Sequence, residues 1–489
     1  MLVTWGHSAR DRSAVVTDTD ATVNGHGLII GMTGSGKTHT LKRAISEMIA
    51  TGDPDRPARF YVFDIHGDIT IPGASSVMFS EQTEYGLNPL KINPDPHFGG
   101  VRKRIQGFMS TMNSVMRELG PKQQATLRNI LTDVYSRHAC RQDDPSTWAI
   151  VPAESNLFSN ENDERLYIDV PIAEKDDAKS LGARWDGSVR SWYINSWEYE
   201  GAVTRWPPKL FCRTDPSIKD VLRAGLYIMQ QTFLGIGTEG VTKVGVLNKA
   251  TSAYRRKLFE ALRQGERAFS DEKLQSEIAK AKQKAIETCT EYINAISTGF
   301  EVEDLLRYDS TDVLKSVVDR LENLNAIGIF KAKPPPFDYS SSVWRYDIRA
   351  LGKEERKLFV LFRLEEIFAD AVQRGEQSTI RDVIFLDEAH IFFDDDPDNI
   401  LNTIAKEARK FGVALICISQ SSTHFSEDFI AAVSTKVILG IDELYWKATV
   451  SKMRVEEDAL AWIQLQKSLL VQIKNRGSTK SVWNPVYIP

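Results

Sequence analysis

The sequence of 489 residues predicts an α/β fold built on a mostly parallel sheet with helices on both faces. Short apolar runs, typical of strands buried on both faces, occur at residues 28–30, 59–64, 382–388 and 413–418, and amphipathic helical segments alternate with them. After the second of these strands the chain contains a long helical region and a compact, tryptophan-rich unit. The sequence therefore predicts one α/β core with a large helical insertion and a small α+β inserted domain.

Composition narrows the possible partners. The net charge of −5 excludes a bulk polycation, so any contact with nucleic acid must come from local basic patches or from a ring of subunits. No apolar run approaches the length of a membrane span and the first residues have no signal-like apolar core, so we expect a cytoplasmic protein with no transmembrane segment. Four widely spaced cysteines are expected to be reduced structural thiols, neither disulfides nor zinc ligands: Cys140, Cys212, Cys289 and Cys417.

Residues 31–38 form the pattern G-x-x-x-x-G-K-[ST], which is typical of a phosphate-binding loop. In this pattern the glycine-rich backbone wraps around phosphate groups, the lysine reaches the β- and γ-phosphates, and the final hydroxyl reaches Mg²⁺. A chance match is the alternative, but a buried strand precedes the pattern and an amphipathic helix follows it, which places the phosphates at a helix N-terminus. The sequence thus predicts a site for ATP and Mg²⁺ formed by Gly31, Thr33, Gly34, Ser35, Gly36, Lys37, Thr38 and His39.

The helix after this loop is predicted to bury one apolar face. Its apolar residues follow the helical spacing i, i+3, i+4, i+7 and i+8. They are Leu41, Ala44, Ile45, Met48 and Ile49.

A second pair of acidic residues completes the predicted catalytic site. Four apolar residues lead to Asp387 and Glu388 at the end of a buried strand. Asp387 is expected to hold Mg²⁺ through its water shell, and Glu388 to orient and deprotonate the attacking water. Such a neighbouring glutamate favours hydrolysis over the chemistry of a small-molecule kinase or a GTPase. The alternative, two solvated acids at a strand end, is disfavoured by the phosphate loop upstream.

Each of three further polar positions has two alternative roles. Gln420 ends the next strand, where it is predicted to sense the γ-phosphate; a simple strand-end residue is the alternative. Arg409 is a candidate arginine finger for a neighbouring subunit, or else a surface arginine. The segment Asp64 to Asp68 follows another strand, and its acids indicate either a ligand site or a tight turn capped by Asp68.

In this order, the motifs resemble the HerA/FtsK superfamily of hexameric DNA-pumping ATPases, nearest to its HerA-like branch and to the ATPases of conjugative type IV secretion. The resemblance implies a RecA-like P-loop NTPase core, ATP hydrolysis at the interfaces of a hexameric homo-oligomer, DNA threaded through a central pore, and a nuclease, conjugation or defence protein as partner. It rests on residues 31–38, 63–68, 386–390, 407–412 and 419–420.

The resemblance also sets the expected domain boundaries. The ATPase core occupies residues 1–100 and 333–489, the helical subdomain residues 101–154 and 209–332, and the small inserted domain residues 155–208. We expect the N-terminal β-barrel of HerA proteins and the N-terminal domain of conjugative ATPases to be absent, because the first 27 residues suffice only for an edge strand and a lead-in. Docking through those domains is therefore not expected.

The small inserted domain has a resemblance of its own. Residues 167–194 look like a small uncharacterised domain found beside the primase and helicase modules of plasmids and phages. Arg184, Trp185, Trp192 and Tyr193 are candidates for stacking on nucleic-acid bases. The alternative is that the tryptophans form the core of this short unit, and we expect Trp185 to be buried.

Two functions of different classes remain open at this point. The first is an ATP-hydrolysing hexameric DNA translocase, for which the charged stretch 250–297 is either a solvated helix face or a DNA-facing one. The second is an NTP-dependent switch or a secretion-type ATPase that acts on protein partners without moving DNA. The negative net charge mildly favours the second function, and the ordered series of motifs favours the first.

Overall fold

The computed structural model describes residues 1–138, 140–149, 165–187, 191–208, 215–234, 239–264, 271–295, 311–393, 399–478 and 481–488. Cys212 and the first ten residues of the predicted inserted domain, 155–164, lie outside the described residues. The strands are β1 (Leu2–Ser8), β2 (Ala14–Asp18), β3 (Gly27–Gly31), β4 (Arg59–Asp64), β5 (Ser75–Met78), β6 (Arg165–Ile168), β7 (Arg184–Asp186), β8 (Ser191–Asn195), β9 (Val343–Asp347), β10 (Asp382–Leu386), β11 (Val413–Ser419), β12 (Thr435–Gly440), β13 (Ser468–Ile473) and β14 (Trp483–Tyr487).

The helices alternate with these strands in the core and dominate the insertion. In the described residues they are α1 (Lys37–Ala50), α2 (Val101–Val115), α3 (Pro121–Arg137), α4 (Lys175–Ser180), α5 (Ile218–Leu234), α6 (Glu239–Gln264), α7 (Glu272–Ala295), α8 (Thr311–Ala326), α9 (Lys353–Arg374), α10 (Ile400–Glu407), α11 (Glu427–Ala432), α12 (Trp446–Met453) and α13 (Glu457–Ala461). Within the described residues no helix has the length and apolar character that crossing a membrane requires.

An eleven-stranded sheet forms the core, in the order β2-β1-β14-β13-β12-β3-β11-β10-β4-β9-β5. Neighbouring strands from β12 to β5 run parallel, and those from β12 back to β2 run antiparallel. The central strands are buried along their whole length, which explains their uninterrupted apolar runs. The predicted α/β fold with a mostly parallel sheet is confirmed.

Alternate residues of the central strands enter two different cores. Ile29 packs in the core on the α1 side, whereas Leu28 and Ile30 pack in the core that contains α2, α3, α5, α8 and α9. The prediction of helices on both faces is therefore confirmed. One predicted member of the buried face of α1 is wrong, because Ile49 is 39% exposed. At 3.6 residues per turn Ile49 lies about 80° around the helix from Leu41, at the edge of the apolar stripe.

The outer strands were only partly predictable. The first 27 residues form the hairpin β1–β2 and not the single edge strand that we expected, and β14 inserts between β1 and β13. Strand β14 contains Pro485, a residue that is unfavourable inside strands because it has no N–H to donate. Its carbonyl oxygen accepts a hydrogen bond from the backbone N–H of Ala9, so this position still ties the strand to its neighbour.

The charged stretch 250–297 spans parts of two helices. Helices α6 and α7 pack antiparallel, since Lys243 pairs with Glu291 over 3.1 Å and Lys257 pairs with Glu277 over 2.7 Å. These ion pairs join the two helices on a solvated surface, so at least part of the charge run serves the hairpin itself.

The small inserted domain is a three-stranded antiparallel sheet, β6-β8-β7, with α4 packed on it. Its core contains Ile168, Ile194 and Trp206, and the indole Nε1 of Trp206 donates a hydrogen bond to Glu174 over 2.6 Å. The prediction that Trp185 is buried is wrong, because this side chain is 53% exposed. Trp206 lies beyond the segment from which the prediction was made, and it fills the core in place of Trp185.

Candidate nucleotide-binding and catalytic site

The carboxyl ends of the central parallel strands meet at one edge of the sheet. The segment after β3 is the predicted phosphate loop, the segment after β10 carries the paired acids, and Gln420 directly follows β11. Parallel sheets of this kind bind ligands at this edge. The fold thus brings the phosphate loop together with two motifs that lie more than 340 residues further along the chain.

The phosphate loop is curled around its own lysine. Lys37 donates hydrogen bonds from Nζ to the carbonyl oxygens of Gly31, over 2.9 Å, and Met32, over 3.3 Å. Gly34 and Gly36 have φ angles of +80° and +93°, which favour glycine. A Cβ atom at Gly34 would meet nothing within 4 Å, so the loop is open on the side where phosphate groups would lie.

The remaining loop residues divide into buried and exposed positions. Ser35 is buried, and a Cβ atom at Gly31 would lie only 2.3 Å from its Oγ atom, so this position requires glycine. Thr33 is exposed beside the open side of the loop, and His39 is exposed on the first turn of α1. The helix begins at Lys37, directly after the loop, as the motif predicts.

Asp387 and Glu388 are both buried at the end of β10, being 8% and 6% exposed. Burial and the neighbouring charge of Glu388 raise the pKa of Asp387 to about 6. Glu388 has a φ angle of +43°, a strained conformation for a residue other than glycine, and such strain is typical of functional sites. The strain therefore falls on one of the two adjacent acids that follow β10, as is typical of a functional site.

The Glu388 carboxylate contacts Gln420 and His390 and also interacts with the charge of Lys37. Gln420 donates a hydrogen bond from Nε2 to Oε1 of Glu388 over 3.2 Å, and Nδ1 of His390 lies 3.3 Å from Oε2. Burial favours the neutral form of this acid, but His390 and Gln420 together with the charge of Lys37 outweigh that effect and lower its pKa. Glu388 is therefore a carboxylate at neutral pH, as a general base must be.

Asp64, at the end of β4, and Asp68, four residues later, have different roles in the structure. Asp64 is fully buried, accepts backbone hydrogen bonds from Gly67 over 2.7 Å and Ile69 over 2.9 Å, and pairs with Arg345 over 2.7 Å. Asp64 thus caps the turn that the sequence analysis assigned to Asp68. Asp68 instead accepts a hydrogen bond from Oγ1 of Thr38 over 3.4 Å, which places it at the hydroxyl expected to bind Mg²⁺.

The chemistry of these groups fits Mg²⁺ with nucleotide phosphates better than a metal held by protein alone. Within the described ranges no three or more His, Cys, Asp or Glu side chains are grouped as a metal site. Mg²⁺ usually takes one or two carboxylates, substrate phosphates and waters. Thr38, Asp68 and Asp387 are the side chains that would serve such an ion.

Arg409 lies far from this group of residues. It is exposed in a short 3₁₀ turn four residues before β11 begins, hence at the opposite edge of the sheet from the loop that follows β3. A strand of this length separates the two edges by about 20 Å. Arg409 therefore cannot act on the nucleotide of its own subunit, and only the role across a subunit interface remains a hypothesis.

Gln466 is a residue of this site that sequence reasoning missed. It donates a hydrogen bond from Nε2 to the carbonyl oxygen of Gly34 over 2.9 Å, and its own φ angle is +64°. The preceding residue, Leu465, packs close to Gly440 at the end of β12. No local motif marks Gln466, so only the folded structure reveals this contact with the phosphate loop.

Comparison with known proteins agrees with this geometry. Residues 3–141 match the family model described as the central domain of helicase HerA. The DNA double-strand break repair helicase HerA of Pyrococcus furiosus is 35% identical over 122 residues, which cover 24% of this chain and 21% of that protein. Together these matches support a P-loop ATPase of the HerA/FtsK type. Predictions of this family and of a P-loop NTPase fold are thereby confirmed.

Two further comparisons concern the fold of this HerA/FtsK-type ATPase and its insertion. The structure of VirB4 of Thermoanaerobacter pseudethanolicus superposes with a TM-score of 0.53 at 14% identity, covering 100% of this chain and 96% of that one, which is a likeness of fold. Residues 165–208 match a family model of a domain of unknown function. DNA primase TraC of Escherichia coli is 50% identical over 46 residues, 9% of this chain. The chain spans 3% of TraC and 21% of the archaeal HerA.

Proposed function

We propose that this HerA/FtsK-type ATPase hydrolyses ATP to move DNA and works as a hexameric ring with the DNA in its central pore. The observation that carries the hydrolytic part is the buried, ionised Glu388, held by Gln420 beside the phosphate loop. A carboxylate fixed in this way can orient a water and accept its proton, and a neighbouring hydrogen-bonded amide can report whether the γ-phosphate is present.

Each residue of the site then has one role. The backbone from Gly31 to Gly36 wraps around the phosphates, and Lys37 leaves its loop carbonyl partners to neutralise the β- and γ-phosphates. Thr38 and Asp387 hold the Mg²⁺ that accompanies ATP, with Asp387 acting through water. Mg²⁺ supplies charge neutralisation on the transferred phosphoryl group. Arg409 is assigned to the site of the neighbouring subunit.

The DNA part of the proposal rests on the relatives. HerA of Pyrococcus furiosus is named as a helicase of DNA double-strand break repair, and TraC as a DNA primase. The net charge of −5 does not oppose DNA binding, because a ring needs only local cations facing its pore. The setting that we propose is the processing, transfer or defence of plasmid- or phage-related DNA, with a nuclease or a conjugation protein as partner.

A second candidate is a secretion-type ATPase or a nucleotide-dependent switch that acts on protein without moving DNA. The negative net charge favours it, and the fold shared with VirB4 is compatible with it. The two functions differ in how DNA affects ATP turnover. A DNA motor hydrolyses ATP faster on DNA, whereas a protein-directed ATPase does not respond to DNA.

The discriminating experiment is the steady-state ATPase rate without DNA, with single-stranded DNA and with duplex DNA. Lys37→Ala serves as the blank, because it removes the phosphate-binding amine and leaves the rest of α1 unchanged. The DNA motor predicts strong stimulation by at least one form of DNA and none in the blank. Equal rates in all three conditions would contradict it and favour the protein-directed ATPase.

A further inference from the structure

The small inserted domain exposes an aromatic side chain that its core does not use. Trp185, on edge strand β7, stands directly opposite Trp192 on β8, and the two indole rings are 5.5 Å apart at 66° to each other. Trp185 is more than half exposed, while Trp206 fills the core. An edge-to-face pair of this kind fixes the orientation of Trp185 and leaves much of its ring accessible.

A cavity of about 550 Å³ lies beside this tryptophan pair. Apolar side chains from β6 and the segment after it form much of its lining, and one of them, Ile172, is 88% exposed. The lining thus offers an exposed apolar surface large enough for a planar ring. Besides the two tryptophans it consists of Ile168, Asp169, Val170, Ile172, Lys175 and Ser191.

Exposed positive charge accompanies the apolar lining. Lys175 lines the cavity, and Lys179 lies one turn further along α4 at the i+4 position, so both amines share one side of this helix. Two of the three acids nearest in sequence are partly neutralised, because Asp177 pairs with Arg205 over 2.8 Å and Glu174 with the same arginine over 3.7 Å, whereas the third, Asp176, is exposed. A ligand at the cavity therefore meets an aromatic ring and the amine of Lys175, with Lys179 one turn away and Asp169 as the single acid of the lining.

We propose that this cavity binds single-stranded nucleic acid, with one base stacked on Trp185 and the adjoining phosphate beside Lys175. Aromatic rings next to cations bind single strands with little sequence preference, because every base presents a stackable face. An apolar peptide would use the lining but would have no need of the Lys175 amine. The proposed site is separate from the ATPase site and does not depend on the motor function.

The test uses the full chain without nucleotide and two fluorescent probes, oligo-dT and oligo-rU of about 20 nucleotides, longer than the usual site of one small domain. Binding is measured by fluorescence anisotropy for four variants. We expect Trp185→Ala and Lys175→Glu to weaken binding about 10-fold. Trp185→Phe retains a stacking face and should bind within about 2-fold of the original chain. Lys122→Glu makes the same charge change at an exposed position of α3 and should have no effect.

Location is checked with the same oligonucleotides carrying 5-iodouracil, which cross-link to aromatic side chains on irradiation. Cross-linked peptides that contain Trp185 support the proposal, and the dT and rU arms show whether DNA or RNA is preferred. Unchanged binding by Trp185→Ala and Lys175→Glu, or cross-links only outside the small domain, would overturn it. Each variant must show an unaltered thermal unfolding curve. If Trp185→Ala unfolds, the test still rests on Lys175→Glu, which keeps Trp185, and on Trp185→Phe, which keeps an aromatic ring at that position.

Failure of the cavity proposal can be distinguished from failure of the motor proposal. If the motor proposal fails, DNA does not stimulate ATP turnover but the variants still weaken oligonucleotide binding. If the cavity proposal fails, DNA-stimulated turnover persists and the variants bind as the original chain does.

Discussion

Gln420 donates a hydrogen bond from its side-chain amide to the carboxylate of Glu388 over 3.2 Å, and so joins the ends of β11 and β10. Glu388 is the proposed base and Gln420 the proposed sensor, and their contact lets one residue act through the other. In the proposed mechanism the amide holds the carboxylate in position for the attacking water, and a bound γ-phosphate would change this contact. Such a change would couple the state of the nucleotide to the position of the base.

Removal of this amide should slow catalysis with little effect on nucleotide binding. We expect Gln420→Ala to lower kcat about 100-fold while KM for ATP changes less than about 3-fold, because the amide acts on the base and not on the phosphates of the ground state. Steady-state kinetics measure both constants. A KM change as large as the kcat change would show that Gln420 serves nucleotide binding instead.

The contact between Gln466 and Gly34 predicts the opposite pattern. Gln466→Gly removes the hydrogen bond to the phosphate loop and also relieves the strain of φ +64°. We therefore expect a KM for ATP raised about 3- to 10-fold with kcat nearly unchanged, since one hydrogen bond that orders the loop is lost. Gln466→Ala loses the same bond but keeps the strain, so it should share the kinetic change and be about 1 kcal/mol less stable than the glycine variant. Equal KM values for the original chain and both variants would refute this role.

Matched substitutions of Asp64 and Asp68 distinguish a role in stabilising the fold from a role in binding Mg²⁺. Asp64→Asn removes the fully buried carboxylate that pairs most closely with Arg345 and leaves only Asp347, at 3.8 Å, so we expect a loss of about 3 kcal/mol in the free energy of unfolding. Asp68→Asn should leave stability unchanged and raise the Mg²⁺ concentration needed for half-maximal ATP turnover. Denaturant unfolding and a Mg²⁺ titration test the two variants. The reverse assignment would follow if Asp68→Asn destabilised the fold and Asp64→Asn changed only the Mg²⁺ requirement.

Buried His26 predicts a loss of stability in mild acid. Its Nδ1 accepts a hydrogen bond from the backbone N–H of Leu415 over 3.0 Å, and burial lowers its pKa to about 4, against 6.5 for an ordinary histidine. The unfolded chain therefore takes up a proton at this residue below pH 6.5, while the folded chain does so only near pH 4. Stability from this group is complete above pH 6.5 and falls by as much as about 3 kcal/mol as the pH drops to 4.

The control for this prediction is His26→Gln, which can still accept the backbone hydrogen bond but does not titrate. The unfolding temperatures of the two chains are compared from pH 7 to pH 4. The original chain should lose more stability on acidification than the variant does. Parallel curves would show that His26 is not the responsible group.

The sequence predicted those parts of the site whose functional residues are neighbours in the chain. The phosphate loop and the Asp387–Glu388 pair each have a fixed local pattern, and the apolar runs before them locate the strands that hold them. Gln466 has no such pattern, because its contact with Gly34 joins residues 432 positions apart. The sequence left open whether residues 64–68 form a ligand site or a turn capped by Asp68, and it did not identify Asp64 as the cap, because its partner Arg345 comes from β9.

The sequence was least informative about which side chains of the small inserted domain are buried. Trp185 was expected in the core on the argument that a short domain has few large side chains to bury, but Trp206, beyond the segment 167–194 on which that argument rested, occupies that place. The hairpin β1–β2 and strand β14 were missed for a related reason. Strands β2 and β14 are short and partly exposed, so their apolar pattern is weak, and Pro485 argues against a strand until its partner β13 is known.

The most direct test of the central claim is whether ATP hydrolysis moves this protein along DNA. Single-stranded and duplex DNA carrying biotin at either end are bound to streptavidin, and release of streptavidin is followed after ATP is added. The account predicts ATP-dependent release from at least one of these DNAs by the original chain. Glu388→Gln should bind DNA with ATP and release none, because it lacks the base. Hydrolysis of ATP by the original chain without release from any of the DNAs would contradict the claim that this ATPase is a DNA translocase.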